Sequence, residues 1–183
     1  VDYEERLYAA GKIKGSRWVK REGRATDEAI LSGRVIDRTL RPLFKDGMRN
    51  DVQIVATILS VDPEVDPDMV AVNAAAMALA ISDIPFDGPV AAVRVGKVDG
   101  KLVINPTKTQ LETSTLDLIV SGTAEYIMMV EAGAQFVTEE EIIEGVKLAQ
   151  KTLSGLCDAQ NNFAKQIGKP KAEVTLAVTD ERI

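Results

Sequence analysis

Arg34, Arg38 and Arg41 recur at i, i+4 and i+7 in a stretch that opens on Thr26-Asp27-Glu28 and closes at Pro42. Thr26 reads as an N-cap, the two acids as first-turn residues, and Pro42 as a stop, so residues 26–42 are predicted to be a helix. At about 100° per residue the three guanidinium groups share one narrow stripe. Ala29, Ile36 and Leu40 lie roughly opposite, where they can seat the helix on a core. Three like charges on one face call for an anion or partner acids, and Asp37 can answer only one of them. Two readings are open from the helix alone: a solvated face with an internal Asp37 pair, or a surface that binds phosphate.

The loop before the helix adds an aromatic ring. Trp18, the single Trp of the chain, stands among Arg17, Lys20, Arg21 and Arg24, with Gly15 and Gly23 at its flanks. A ring beside cations is what single-stranded nucleic acid binding uses, the ring stacking on a base while the cations hold phosphates. The plainer alternative is a Trp packed on the core; the surrounding charge and flanking glycines favour an exposed loop. Charge distribution agrees. Residues 1–50 hold 12 Lys/Arg against 8 Asp/Glu, whereas residues 51–183 hold 10 against 20, within a net charge of −6. A basic segment on an acidic body lets a polyanion bind locally despite the overall sign, which points to RNA or nucleotide phosphates.

The motifs then resemble a known family. VDYEERLYAAGKI, REGRATDEAILSGRVIDRTLRPLF, RNDVQIVATILSVDPEVDPD, IPFDGPVAAVRVG and STLDLIVSGT follow one another as in the first RNase PH-type domain of the polynucleotide phosphorylase family. The resemblance covers nearly the whole chain. It implies an α+β RNase PH-like fold (ribosomal protein S5 domain 2-like), a mixed sheet with packed helices, and a start after the family's opening strands. It also implies residues 1–168 as that domain and residues 169–183 as a linker into a helical inter-domain segment. Carried over by position, Trp18 and Val19 take two aromatic places of a loop at the constriction of a trimeric ring. Lys20 and Arg21 take its basic pair, and Arg34, Arg38 and Arg41 match arginines on the RNA and phosphate path. RNA-binding residues are therefore expected at Trp18, Lys20, Arg21, Arg24, Arg34, Arg38 and Arg41. The chain departs from the family pattern at Lys14 and Thr39, each in place of Pro, at Val19 for an aromatic, and at Arg17, an apparent insertion.

The resemblance also carries an activity to the parent enzyme: 3′→5′ phosphorolysis of RNA, with inorganic phosphate as co-substrate and Mg²⁺ as cofactor. The active copy of the domain needs two Asp, a Lys and Ser/Arg contacts, because phosphoryl transfer is governed by positioning and charge neutralisation. Here Asp117 occupies one acid place, while Leu111 stands at the other and Ile119 at the Lys place. Asp117 is a weak metal candidate and reads better as a structural acid. This segment is accordingly expected to be noncatalytic and to bind no Mg²⁺. Its expected partners are single-stranded RNA, two further copies in a homotrimer, and a second RNase PH-like domain of the same polypeptide. Two alternatives stay open: a self-sufficient phosphorolytic enzyme, and a purely structural ring subunit.

Composition bounds the rest. With 183 residues, 45% of them hydrophobic, one domain can bury a sizeable core. Zero His and a single Cys157 exclude a His-dependent triad or zinc site built within these residues and suit a reducing, cytoplasmic setting. No apolar run approaches the roughly 20 residues a membrane span needs. Residues 52–61 read as a strand buried on both sides, and 69–82 as a buried Ala-rich helix. Asp99-Gly100 signals a hairpin between 90–95 and 101–104, and 116–121 with 127–131 a second one. Thr138 with Glu141 forms a capping box for a long helix that ends near Gly168.

Overall fold

The computed structural model describes residues 1–11 and 25–177. β1 (Asp2–Glu5) runs parallel to β2 (Val55–Ile58), in register from Asp2 opposite Val55 to Glu5 opposite Ile58. Parallel strands need a crossover, and α1 (Asp27–Leu40) supplies it, continued by a 3-10 turn over Arg41–Leu43. α2 (Asp68–Ile81) follows, and then a four-stranded antiparallel sheet in the order β4-β3-β5-β6. Its strands are β3 (Ala91–Val98), β4 (Lys101–Ile104), β5 (Leu116–Gly122) and β6 (Ile127–Ala134). α3 (Lys108–Thr113) joins β4 to β5, and α4 (Glu139–Ile167) closes the order of elements.

Local signals account for most boundaries. Thr26 Oγ1 accepts from the Ala29 N–H at 3.1 Å and starts α1. Asp99 and Gly100 have φ of 48° and 75°, the two positive values a type I′ turn requires, and Val98 pairs with Lys101 across it. Thr138 and Glu141 form both halves of the capping box, and Gly168 caps the far end of α4. α3 is the helix sequence reading passed over. Its start carries the same signature, a box between Thr107 and Gln110.

Strand alternation divides the interior into two layers. Ala91, Val93, Val95, Leu116, Leu118 and Val120 pack with Ala149, Leu153 and Cys157 of α4. On the other face Ala92, Ile119 and Met129 meet Ile36 and Leu40 of α1 and Val72, Ala76 and Leu79 of α2. Burying side chains such as Ile36 and Leu40 contributes about 1.5–3 kcal/mol each.

Two expectations need correction. The strand expected over 52–61 is only four residues long and is not buried on both sides: Val55 is 49% and Leu59 67% exposed. These two line an apolar groove of about 810 Å³ with Val70 and Ala74 of α2. β2 pairs with β1 alone among the described residues, so its outer side chains face this groove instead of a second layer. For the same reason α2 is buried on one face only, with Val70 62% exposed. Residues 169–177 run back over the body. Lys169 N–H donates to Ile81 O, Ala172 N–H to Asp83 O, and Ala177 N–H to Gly47 O.

Candidate functional site

α1 is held by its apolar side. Ala29, Val35, Ile36, Thr39 and Leu40 are buried, and so is Gly33, which packs under β1, where an added Cβ would meet the Tyr3 Cβ at 3.7 Å, an ordinary contact. Thr39, where the family resemblance has Pro, donates its buried hydroxyl to Ser121 Oγ on β5 at 2.9 Å. With that side fixed, helical geometry turns Arg34, Arg38 and Arg41 outward, and all three are exposed.

Two of the three have acids of their own chain beside them. Arg41 holds Asp37 through two hydrogen bonds, Nε to Oδ2 at 3.0 Å and an Nη to Oδ1 at 2.7 Å. Asp37 thus answers one arginine. Arg38 is answered by Glu131 on β6 at 2.6 Å, with about half of each side chain exposed. Arg34 makes no ion pair among the described residues and lines, with Asp37, Arg41 and β1, a depression of about 450 Å³. Exposed ion pairs such as Arg38–Glu131 contribute less than about 1 kcal/mol, so a phosphate can replace the carboxylate at little cost. The face offers one open guanidinium and two exchangeable ones. Trp18, Lys20, Arg21 and Arg24 lie outside the described residues, as does Val19.

A second charged cluster, which sequence reading missed, lies on the same face of the sheet. Arg94 of β3 is 12% exposed and reaches Asp68 at 2.6 Å, Asp66 at 3.5 Å and Asp117 at 3.6 Å. Burial pushes the Asp68 carboxyl up even though Arg94 pulls it down. The available signal was a lone Arg inside the apolar run AAVRV, following an acidic loop at 62–68. Asp117 therefore faces a guanidinium. Leu111 sits on α3, and Ile119 is 8% exposed among the packed residues of α1 and α2. Among the described residues, no group of three or more His, Cys, Asp or Glu is arranged to hold a metal ion. The residues around Asp117 do not fit a Mg²⁺ site, because the carboxylates there are arranged around Arg94.

Cys157 offers no nucleophile either. It is fully buried, its thiol pushed up to about 11 chiefly by that burial. Among the described residues, no helix is long and apolar enough to cross a membrane.

A sheet with α1 and α2 on one face and α4 on the other, and a cationic helix face beside it, defines an RNase PH-like domain. Residues 1–85 match the model of the 3′ exoribonuclease family, domain 1, and residues 88–152 that of the same family's domain 2. The chain belongs to the 3′ exoribonuclease family. The junction between the two matches falls between α2 and β3.

The particular relatives are consistent. The chain is 53% identical over 182 residues to polyribonucleotide nucleotidyltransferase of Alkaliphilus oremlandii, covering 99% of this chain and 26% of that protein. It is 54% identical over 176 residues to the protein of the same name from Heliobacterium modesticaldum, covering 96% and 25%. It thus spans about a quarter of the length of the curated relatives it matches. The crystal structure of rice (Oryza sativa) Rrp46 superposes with a TM-score of 0.61 at 14% identity, over 79% of this chain and 67% of that one. That likeness speaks to the fold.

Proposed function

We propose that this chain is the RNA-binding first RNase PH-like domain of a polyribonucleotide nucleotidyltransferase, noncatalytic in itself, and that it builds a homotrimeric ring. The parent enzyme degrades RNA from the 3′ end in the cytoplasm, phosphate attacking the terminal linkage to release nucleoside diphosphates. The observation that carries the reading is the exposed row Arg34, Arg38 and Arg41 on a helix whose opposite face is buried in the core. A polyanion tracking that row meets cations spaced along one line, and it can displace Glu131 and Asp37 as it binds. Trp18, Lys20, Arg21 and Arg24, which precede the helix in the sequence, are read as further RNA contacts, the ring of Trp18 stacking on a base.

The noncatalytic reading is supported by what surrounds Asp117. A carboxylate beside Arg94, with Leu111 and Ile119 at the partner positions, is a poor seat for a divalent ion. Mg²⁺ and phosphate are handled by a second RNase PH-like domain of the same polypeptide. Incubation of the isolated chain with poly(A), phosphate and Mg²⁺ tests this, since no nucleoside diphosphate is expected. Robust release would instead make the chain a phosphorolytic enzyme in its own right. The ring-subunit alternative is separated by sizing an Arg34→Ala/Arg38→Ala double variant: it keeps its oligomeric state if these arginines serve RNA, and dissociates if they serve neighbouring subunits.

A further inference from the structure

Residues 169–177 are fastened to the body at two points. At the first, the Lys171 ammonium donates to Leu79 O at 2.7 Å, Ala80 O at 3.1 Å and Ser82 O at 2.8 Å. All three N–H donors of the lysine are used, on carbonyls at the C-terminus of α2. Helix ends leave carbonyls short of intrahelical partners, and a cation there is favoured by the helix dipole, although Leu79 O also accepts from the Ser82 N–H and hydroxyl. Lys171 thus caps α2 and binds the strap in one contact, helped by the Ala172 N–H to Asp83 O bond at 2.7 Å. At the second point, Ala177 N–H donates to Gly47 O at 2.8 Å, and Leu176 forms a bridge with Met48. This anchor is specific to glycine. Gly47 has φ of +83°, and a Cβ on it would lie 2.6 Å from Ala177 O. Between the anchors the strap spans an opening of about 450 Å³ that Lys45, Phe86 and Asp87 also line.

The second anchor sits in the loop that leaves the arginine helix. Arg41 begins the 3-10 turn Arg41–Leu43, and Leu43 O accepts from Asp87 N–H at 2.9 Å. Phe44 packs on Phe86 with ring centroids 5.5 Å apart. The Gly47–Met48 contact follows within four residues. A short run of chain therefore connects the strap to the end of the helix that carries the cationic face.

We propose that residues 169–177 are a latch keyed by Lys171, which orders the loop at 45–50 and thereby raises the polyanion affinity of the arginine face. The affinity half of this proposal rests on the RNA-binding reading above; the latch itself does not. Because coupling between sites is reciprocal, bound RNA must also tighten the latch.

Hydrogen exchange on the full chain decides it, comparing wild type with Lys171→Met and, at the other anchor, Gly47→Ala. Either variant is expected to speed exchange at Ala172, Ala177 and residues 45–50 by roughly tenfold or more while β3 and β5 keep their protection. Each is also expected to weaken poly(A) binding, and poly(A) to slow exchange at Ala177 in wild type. Unchanged exchange at 45–50 in both variants overturns the latch. So does protection lost throughout β3 and β5, which would make Lys171 a support of the whole fold. Faster loop exchange with unaltered poly(A) affinity overturns the coupling. If wild type does not bind poly(A), the RNA reading and the affinity half fall together, and the exchange comparison still decides the latch.

Discussion

Arg38 on α1 and Glu131 on β6 are 93 positions apart in the chain, and their charged groups meet at 2.6 Å. The pair ties the cationic helix to the outermost strand of the sheet and occupies the middle member of the arginine row. Being half exposed, it competes with any incoming phosphate without adding much stability. Removing the acid and removing the base should then have opposite effects on binding.

Glu131→Gln is expected to tighten poly(A) binding by freeing Arg38, and Arg38→Ala to weaken it. The Arg38 variant should also flatten the plot of log affinity against log salt by about one unit of slope. Titrations between about 50 and 200 mM salt check both. Equal affinities for wild type and both variants would mean that this helix face does not meet the RNA.

The buried hydroxyl pair gives a second test. Thr39→Val leaves Ser121, fully buried on β5, without its partner and should cost about 1–3 kcal/mol. Adding Ser121→Ala removes the stranded group and should restore part of the loss. A double-mutant cycle by urea denaturation measures the coupling, and additive single effects would contradict it.

A third prediction concerns acid. The Lys97 ammonium, followed by the Thr138 N–H, holds the Glu141 carboxyl below its ordinary 4.5. The folded chain therefore binds this proton less tightly than the unfolded chain does. The stabilisation is fully present above the unfolded value and is lost as pH falls through the folded one. Glu141→Gln should melt below wild type at neutral pH, and the gap should close as pH drops under 4.5. A gap that stays constant to low pH would rule the ion pair out as its source.

Cys157 supplies a fourth. Fully buried and shifted upward to about 11, it should resist alkylation in the native protein at pH near 8 and react at once in denaturant. Rapid native labelling would show that α4 separates from β5 far more readily than its packing implies.

The features legible in the chain share one property: their causes lie within a few residues. The Thr26 cap, the Thr138–Glu141 box, the Asp99-Gly100 turn and the outward row of arginines each follow from neighbours one to seven positions away. α3 belongs with them, its Thr107–Gln110 box being as local as the others. The length and burial of β2 do not, because those depend on what lies across the groove from Val55 and Leu59. Nor do the ionic partners. Periodicity says that Arg38 points outward and Arg94 lies in an apolar strand, but not that Glu131 and Asp68 stand opposite them. Lys171 was one more cation after a helix until the fold brought it to the C-terminal carbonyls of α2. Spacing along a helix or strand chooses the face of a side chain; chain reversal over tens of residues chooses what meets it there, and that is what separated an open guanidinium at Arg34 from a neutralised one at Arg94.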